Sequence, residues 1–296
     1  MSRSKTKGII MVLIAALLWS SNAPFVRWIS LDAFSVAGVR GLVAGLVLLP
    51  FLRLKKISFN KNFVGFLVCF AALTFGIITA LKTTSSAIAL GMQYTSCLWL
   101  FLLAKPKKED FNLKRLFPLI LVLLGVIITM FSTAKGITLL GNIIAISTSF
   151  SFAGLTYFAK KLNTDNPIGL SSLSNLIVGV VAIFIAKPTV QIVSNVQFSE
   201  WAVLLYLGVF QIGASYALYY SGLKFISAGT ASMIAPLEMI LGPVWTLIFL
   251  GEMPDLIGTV GFIIVIAGVI SEAIVSAKHD KYGENTPLTN GKESNA

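Results

Sequence analysis

Long apolar runs alternate with short polar breaks along almost the whole chain. An α-helix needs about 20 mainly apolar residues to cross the hydrocarbon core of a bilayer, and each run is close to that length. The breaks carry glycine, proline or charged residues and are too short to hold a soluble domain. The pattern predicts an all-α integral membrane protein with ten transmembrane helices at 8–28, 33–52, 63–81, 86–104, 116–131, 139–159, 170–186, 201–223, 228–250 and 256–275.

The first run has some features of a cleaved signal peptide. Arg3, Lys5 and Lys7 precede it, and small residues follow its most apolar part. The apolar character nevertheless continues to Trp28, which is longer than the core of a signal peptide. We therefore interpret this run as a retained first transmembrane helix.

The composition agrees with a membrane protein and excludes several soluble classes. Of the 296 residues 56% are hydrophobic and only 12% are charged, too few charges for a surface in contact with water. The net charge of +11 could suggest nucleic acid as a partner, but the basic residues form short clusters between the apolar runs. Anionic lipid headgroups are the natural partners of such clusters, so we expect a lipid bilayer and no nucleic acid.

The distribution of Lys and Arg predicts the orientation. If the N-terminus is cytoplasmic, the other side of the membrane holds only Arg27, Lys82, Lys135 and Lys187, and Arg40 lies inside a span. All other members of the 23 basic residues then lie in cytoplasmic segments, as the positive-inside rule requires. The sequence therefore predicts a multi-pass protein of the cytoplasmic, or inner, membrane with both termini in the cytoplasm.

Two stretches of the first half of the chain return in the second half. Leu81, Lys82, Ser85 and Ala89 recur as Leu223, Lys224, Ser227 and Ala231, and the segment 124–127 recurs as 267–270. These matches predict one five-helix repeat at 1–132, a second at 139–275 and a polar cytoplasmic tail at 276–296. An odd number of helices inverts the second copy, and inverted repeats are typical of transporters, because two similar halves can open one site to each side in turn.

Two ionisable residues lie well inside predicted spans, where each is costly unless it is paired, hydrated or used. Glu238 lies near the middle of the ninth span, close to Pro236 and Pro243, and Arg40 lies in the second span. Glu238 could bind a substrate ammonium group or take up a proton. Alternatively, Glu238 and Arg40 could form an ion pair that only fixes helix packing, and the sequence leaves both interpretations open.

Aromatic and amide side chains form a second set of candidates inside the spans. Trp19 and Asn22 share one helix face, Gln93 and Tyr94 interrupt the fourth span, and an amide is expensive when it is unpaired in lipid. Such groups suit a solute with a flat apolar body and a few polar groups. The predicted substrate-binding residues are Trp19, Asn22, Gln93, Tyr94, Gln211, Tyr216, Tyr220 and Glu238.

No enzyme signature accompanies these candidates. The chain has no Walker A loop, no paired aspartates and no metal-ligand cluster, and Cys69 and Cys97 lie in apolar runs as ordinary core residues. Ser215 has no intramembrane histidine base, because the only histidine, His279, lies in the polar tail. We expect no enzymatic activity, no cofactor and no metal site.

Several strings resemble the EamA family of the drug/metabolite transporter superfamily, a family of bacterial ten-helix metabolite transporters. They are the first-helix string LLWSSNAPFVR at 17–27, the segment 87–103 with QYTS at its centre, and the ninth-helix strings APLEM at 235–239 and GPV at 242–244. The resemblance covers the chain to about residue 275. It implies two inverted five-helix halves, a central cavity near Trp19, Asn22, Gln93, Tyr216, Tyr220 and Glu238, and alternating access without ATP.

The resemblance and the residues together suggest a transporter of small organic metabolites, in particular an exporter of amino acids or similar amphipathic solutes. A nucleobase or nucleoside carrier would use the same amides and aromatic rings, and a carrier of amines or cationic drugs would use Glu238. A membrane scaffold or an intramembrane enzyme is a more distant alternative. The partner is thus a small-molecule solute, and the oligomeric state is left open, with a monomer among the options.

Overall fold

The structure is a computed structural model that describes residues 3–103, 113–131, 138–188, 195–226, 231, 234–235, 237–251 and 255–283. Every regular element in these ranges is helical. The elements are α1 (Arg3–Ser20), α2 (Asn22–Trp28), α3 (Ala33–Leu48), short 3₁₀ turns at Leu49–Phe51 and Leu54–Lys56, α4 (Lys61–Thr83), α5 (Ser86–Gln93), α6 (Ser96–Leu103), α7 (Leu113–Met130), α8 (Leu139–Leu162), α9 (Pro167–Ala186), α10 (Phe198–Tyr206), a π-helix (Leu207–Ala214), α11 (Ser215–Gly222), α12 (Leu237–Leu250) and α13 (Leu256–Gly283).

Seven described helical segments are long and apolar enough to cross a membrane. They are Ser4–Trp28, Ala33–Phe51, Lys61–Thr83, Ser86–Leu103, Leu139–Leu162, Pro167–Ala186 and Phe198–Gly222. The predicted runs 116–131, 228–250 and 256–275 contain the shorter apolar helices Leu116–Ile128, Leu237–Leu250 and Leu256–Ser271. The structure thus has the helical, lipid-compatible character that the sequence predicts, and the count of ten transmembrane helices stays a prediction.

Polar residues at the helix ends explain where several helices begin. Each of these side chains accepts a hydrogen bond from a backbone N–H of the first turn, which would otherwise have no partner. Asp32 caps α3 in this way through the amides of Phe34 and Ser35. The same arrangement starts α4 at Asn60, α5 at Ser85, α8 at Thr138 and α9 at Asn166.

Two of the long segments are broken near their middle. The first segment breaks at Ser21, because Pro24 lacks an N–H and its ring would clash with the carbonyl group of Ser20 in a continuous α-helix. The fourth breaks at Tyr94 and Thr95, where the Thr95 hydroxyl donates to the Met92 carbonyl at 2.7 Å. Such breaks leave polar groups beside the centre of the helix bundle.

Helices α3 and α9 cross at glycines that bring their backbones together. A Cβ added to Gly41 would lie 3.2 Å from the Gly179 Cα, and one added to Gly179 would lie 2.8 Å from the Leu42 amide nitrogen, so a side chain at Gly179 would push the two helices apart. Along α3, the positions of Gly38, Gly41 and Gly45 lie against Ile183, Gly179 and Leu176 of α9. The contacts move back along α9 as they move forward along α3, so these two helices are antiparallel.

Helices α7 and α13 make a reciprocal contact of the same kind. A Cβ added to Gly125 would lie 2.7 Å from the Val265 amide nitrogen, and one added to Gly268 would lie 2.7 Å from the Val122 amide nitrogen. The later glycine of each helix thus packs on the earlier valine of its partner. This reciprocity again requires an antiparallel pair.

The centre of the bundle lies between several further elements. Helix α4 packs along α8, and α1 packs along α11. Helix α5 contacts α8, and α12 contacts α1, α2 and α5. These contacts bring the two broken segments, the π-helix and α12 around one central region.

Candidate functional site

A small polar chamber lies at the centre of the bundle, with a volume of about 30 Å³. This volume is comparable with the space that one water molecule occupies. Its lining residues are Trp19, Asn22, Arg40, Leu73, Thr74, Ile77, Gln93, Phe152, Gln211, Ile212, Tyr216 and Glu238. Six of the predicted substrate-binding residues and Arg40 therefore meet in one place, whereas Tyr94 and Tyr220 lie next to the chamber and not in its lining.

The Arg40 guanidinium is buried on one part of the chamber wall. Its Nη1 donates to Asn22 Oδ1 at 2.7 Å and to Gln211 Oε1 at 3.3 Å. The π-helix widens the helical turn around Gln211, and the Ser215 hydroxyl donates to the Gln211 carbonyl group behind it. Two neutral amide oxygens thus hold the cation in place; we refer to Arg40, Asn22 and Gln211 as the cationic cluster.

Glu238 is buried on another part of the wall and has a different partner. The Tyr94 hydroxyl, at the break between α5 and α6, donates to Glu238 Oε2 at 2.6 Å. Gln93 is the neighbour of Tyr94 in the chain and also lines the chamber. We refer to Glu238, Tyr94 and Gln93 as the acidic cluster; in the described part of the chain no hydrogen bond or ion pair joins it to the cationic cluster.

Three chamber residues carry buried polar atoms that have no hydrogen-bond partner among the described residues. They are Trp19 Nε1, Arg40 Nε and Gln93 Oε1. Each of these side chains is at most 4% exposed, so bulk water does not satisfy the atoms. Buried polar groups are normally paired, so unpaired ones that meet in one chamber make it a candidate binding site.

A layer of aromatic rings borders the chamber on one side. The Tyr216 ring lies 5.0 Å from the Trp19 ring and 5.3 Å from the Phe70 ring, centroid to centroid. The Tyr220 ring lies one turn further along α11, 5.6 Å from Tyr216 and 5.7 Å from Phe66. Both tyrosines are buried, so these rings pack as one aromatic layer beside the chamber.

A larger cavity lies on the far side of this aromatic layer. Its volume is about 430 Å³, enough for a small organic molecule, and Tyr220 forms part of its wall. The other lining residues come from the C-terminal ends of α8 and α11 and the start of α9: Ala159, Lys160, Asn163, Thr164, Asp165, Pro167, Leu170, Leu223 and Lys224. We refer to this cavity as the vestibule.

Charged side chains tie the helices together at the opposite end of the same helix group. We call Arg27, Ser30, Lys82 and Glu200 the latch. It lies at the C-terminal end of α4 and the N-terminal end of α10, whereas the vestibule lies where α11 ends. Its hydrogen bonds run from Arg27 Nη1 to Leu81 O (2.8 Å) and Thr84 O (2.6 Å), from Lys82 Nζ to Ile29 O (2.8 Å) and from Ser30 N to Glu200 Oε1 (2.6 Å).

Several residues that line the chamber were not predicted from the sequence. Leu73, Thr74, Ile77 and Phe152 line the chamber but have compositions that are ordinary for membrane helices. The one available signal was Thr74, a polar residue in the middle of the apolar run 63–81. Elsewhere, no group of three His, Cys, Asp or Glu side chains in the described ranges forms a metal-binding arrangement.

Comparison with known proteins decides the family. The model of the EamA-like transporter family matches residues 6–131 and again residues 139–271. The chain belongs to the EamA-like transporter family. This family is part of the drug/metabolite transporter superfamily, as the resemblance suggested, and the chain is therefore a multi-pass membrane protein of a transporter family.

Similar proteins occur in both bacteria and archaea. One from Clostridium kluyveri, named an uncharacterized transporter, is 25% identical over 89% of this chain and 92% of its own length. A Bacillus subtilis protein of the same description is 25% identical over 90% of each chain, and one from Archaeoglobus fulgidus is 23% identical over 88% of this chain and 93% of its own length.

The likeness extends to a solved structure. A crystal structure of another protein superposes with a TM-score of 0.66 and 14% sequence identity, over 93% of this chain and 99% of that chain. At this identity the likeness shows a shared fold and nothing further. The EamA-family chain thus has the general architecture of a protein known from crystallography.

Proposed function

We propose that this EamA-family protein moves a small organic solute across the cytoplasmic membrane by alternating access, without ATP and without changing the solute chemically. The observation that carries the proposal is the central chamber, whose polar atoms are buried and partly unpaired. The latch ties the helices at one end of the group, and at the other end Tyr216 of the chamber lining packs on Tyr220 of the vestibule wall. A site with one closed end and one thin partition suits a carrier that opens to each side in turn.

The proposal includes ten transmembrane helices in two inverted five-helix repeats, at 1–132 and 139–275, followed by the polar tail at 276–296. The same family model matches each half of the chain, which supports a repeat. Gly125 and Gly268, which occupy matching positions of the recurring segments 124–127 and 267–270, make reciprocal contacts in an antiparallel pair. A two-fold axis between the halves produces contacts of this kind, because each half then presents the same surface to the other.

The orientation follows from the charges at the vestibule. Lys160 and Lys224 line it, and the positive-inside rule assigns this end to the cytoplasm, together with both termini. The latch then closes the outer end. In this conformation the vestibule would receive solute from the cytoplasm, which agrees with a role in export.

The lining of the chamber favours an amphipathic solute, and amino acids are the first candidate. Aromatic rings from Trp19, Phe152 and Tyr216 offer apolar contact, while Arg40 and Glu238 offer charge. Nucleobases or nucleosides and cationic amines are the other candidates, because amides, stacking rings and a carboxylate also suit them. The volume of about 30 Å³ is too small for any of these solutes, so binding requires the aromatic layer to move.

Solute counterflow in proteoliposomes tests the function. Purified protein is reconstituted with an unlabelled amino acid, nucleobase or amine inside, and uptake of the same labelled solute is followed. We expect accelerated exchange for at least one solute, and a loss of exchange in Glu238→Gln. The control is Phe184→Ala, because the Phe184 side chain is 74% exposed on the surface of the protein, away from the chamber lining. Absence of exchange for the whole panel, with a protein that melts cooperatively, would refute transport and favour a scaffold.

A further inference from the structure

The vestibule is lined by charged side chains that do not contact each other. Lys160 comes from the last turn of α8, and Lys224 follows the end of α11. In the described ranges neither ammonium group makes a hydrogen bond or an ion pair, and the same holds for the carboxylate of Asp165, in the loop between α8 and α9. All three charged groups are therefore available to a ligand in this cavity.

The next lysine along the chain has a different environment. The Lys161 Nζ lies 4.6 Å from the centroid of the Tyr157 ring, and Lys161 does not line the vestibule. A lysine at the C-terminal end of a helix often only complements the helix dipole, but that explanation applies equally to Lys160 and Lys161. It does not explain why Lys160 shares a cavity with Lys224.

Two further features of the vestibule wall favour an anion. Helix α9, of 20 residues, begins in this wall at Pro167, so the positive end of its dipole lies at the cavity. Tyr220 also forms part of the wall; it is 5% exposed, and its hydroxyl has no hydrogen-bond partner among the described residues. A helix N-terminus, two lysines and a free hydroxyl donor are together typical of a site for a phosphate group.

Asp165 restricts which phosphate compound fits. Its carboxylate can only accept hydrogen bonds and repels a bare anion in the same cavity. Hydroxyl groups on the ligand would satisfy it, and the exposed Asn163 amide can both donate to and accept from such groups. The two lysines and Asp165 leave one positive charge in excess, which a phosphate ester with hydroxyl groups can neutralise.

We propose that the vestibule is a second binding site, separate from the central chamber, for a glycerol phosphate group. The phosphate binds Lys160 and Lys224, and the hydroxyl groups bind Asp165 and Asn163. The same chemical group occurs in the headgroup of phosphatidylglycerol and in free phosphate esters of glycerol. The cavity of about 430 Å³ is large enough for either.

Thermal unfolding of the purified full-length protein in a neutral detergent tests the proposal. The soluble probes are sn-glycerol 3-phosphate, inorganic phosphate and glycerol, compared at constant ionic strength. A ligand that binds only the folded protein raises the melting temperature. We expect sn-glycerol 3-phosphate to bind about tenfold more tightly than inorganic phosphate, because its hydroxyl groups add hydrogen bonds. Glycerol alone should have no effect.

A second arm identifies the source of the group. The protein is placed in nanodiscs of phosphatidylcholine with or without phosphatidylglycerol, and we expect phosphatidylglycerol to raise the melting temperature. An effect in nanodiscs alone would assign the site to the lipid headgroup. An effect of sn-glycerol 3-phosphate would assign it to a free phosphate ester as well.

Four variants of exposed residues locate the site. Lys160→Gln and Lys224→Gln should each weaken binding about tenfold, since each removes a charge-assisted hydrogen bond. Lys161→Gln is the matched control, because it removes the same charge from the same helix end and should leave binding unchanged. Asp165→Asn should have the opposite effect on inorganic phosphate and bring its affinity close to that of sn-glycerol 3-phosphate.

Three results would overturn the proposal. One is the absence of stabilisation in both arms. Another is equal binding of inorganic phosphate and sn-glycerol 3-phosphate by the wild type, which would indicate a general anion site. The third is an equal loss in Lys160→Gln and Lys161→Gln, which would indicate attraction to a basic surface. None of these measurements involves transport, so each result leaves the proposed function in place.

Discussion

The hydrogen bond between Ser30 and Glu200 joins two distant parts of the chain at the latch. Glu200 is 6% exposed; its Oε1 accepts from the Ser30 amide at 2.6 Å, and its Oε2 accepts from the Gln197 amide at 3.0 Å. The second bond belongs to the N-terminal capping box of α10 and moves with that helix. Of the two hydrogen bonds of Glu200, only the one from Ser30 must break when α10 moves away from Ser30.

The size of the effect follows from this single bond. A hydrogen bond to a charged group contributes about 1.5–3 kcal/mol, and about 1.4 kcal/mol corresponds to a tenfold change in an equilibrium. Glu200→Ala should therefore raise the population that is open at the latch roughly 10- to 100-fold. Glu200→Gln keeps an acceptor oxygen without its charge, so we expect a smaller change, below about tenfold.

Reactivity of a cysteine at position 77 measures this opening. Ile77 lines the chamber, is 6% exposed, and lies one helical turn before Leu81 at the latch end of α4. Ile77→Cys is made in a chain in which Cys69 and Cys97 are replaced by alanine. The rate of labelling by a water-soluble maleimide in nanodiscs should then rise roughly in proportion to the open population.

The control variant is Phe198→Ala, in the first turn of the same helix as Glu200. The Phe198 side chain is 89% exposed, so its loss should leave the labelling rate unchanged. Equal labelling rates in the wild type, Glu200→Ala and Phe198→Ala would refute the idea that this bond holds the end closed. A rate that rises equally in both variants would point to general loosening of α10.

Three further predictions concern stability, each measured by thermal unfolding in detergent. Gly268→Ala places a methyl group against the backbone of α7 and should cost about 1–3 kcal/mol, whereas Ala267→Leu, on the exposed face, should cost little. Tyr94→Phe removes a buried bond to a carboxylate and should destabilise by about 1.5–3 kcal/mol, but Tyr220→Phe removes an unpaired hydroxyl and should be neutral or stabilising. Asp32→Asn should destabilise by less than about 1 kcal/mol near neutral pH, and this difference should shrink as the pH falls below about 4.

The sign of the last effect comes from the carboxyl group of Asp32. Partial burial raises the pKa of Asp32, but hydrogen bonds from the Ser35 side chain and from the Ser35 and Phe34 amides outweigh it. The pKa therefore lies below its ordinary value of 3.8. A group with a lowered pKa stabilises the folded state above the unfolded-state pKa, and it loses this contribution as the carboxylate is protonated. A difference that grows in acid would contradict this assignment.

The helices were predictable from the sequence because the bilayer constrains composition locally. Any stretch such as 63–81 must be apolar over a fixed length, and that requirement can be read from neighbouring residues alone. The clustering of Trp19, Asn22, Gln93 and Glu238 was predictable for a related reason. Polar groups inside spans avoid lipid and collect where they can be paired. That these residues bind a solute stays a prediction.

The choice of partners could not be predicted in this way. Glu238 accepts a hydrogen bond from Tyr94, because the break at Tyr94 and Thr95 directs the tyrosine hydroxyl toward the carboxylate. Arg40 donates instead to the amide oxygens of Asn22 and Gln211. Such geometry depends on the depth and rotation of separate helices. The bond from Ser30 to Glu200 could not be predicted either, because a glutamate in the first turn of a helix usually only caps that helix.

The π-helix at Leu207–Ala214 has a consequence for how this segment can change in evolution. The wide turns of a π-helix accommodate one extra residue, so removing one residue there would allow an ordinary α-helix to form and would leave the later side chains close to their present faces. Tyr216 and Tyr220 would then stay in the aromatic layer, and Glu200 would stay at the latch. A single deletion in the α-helical part that follows would instead turn every later side chain by about 100°, so we expect changes of length in this segment to be tolerated at the π-helix and not beyond it.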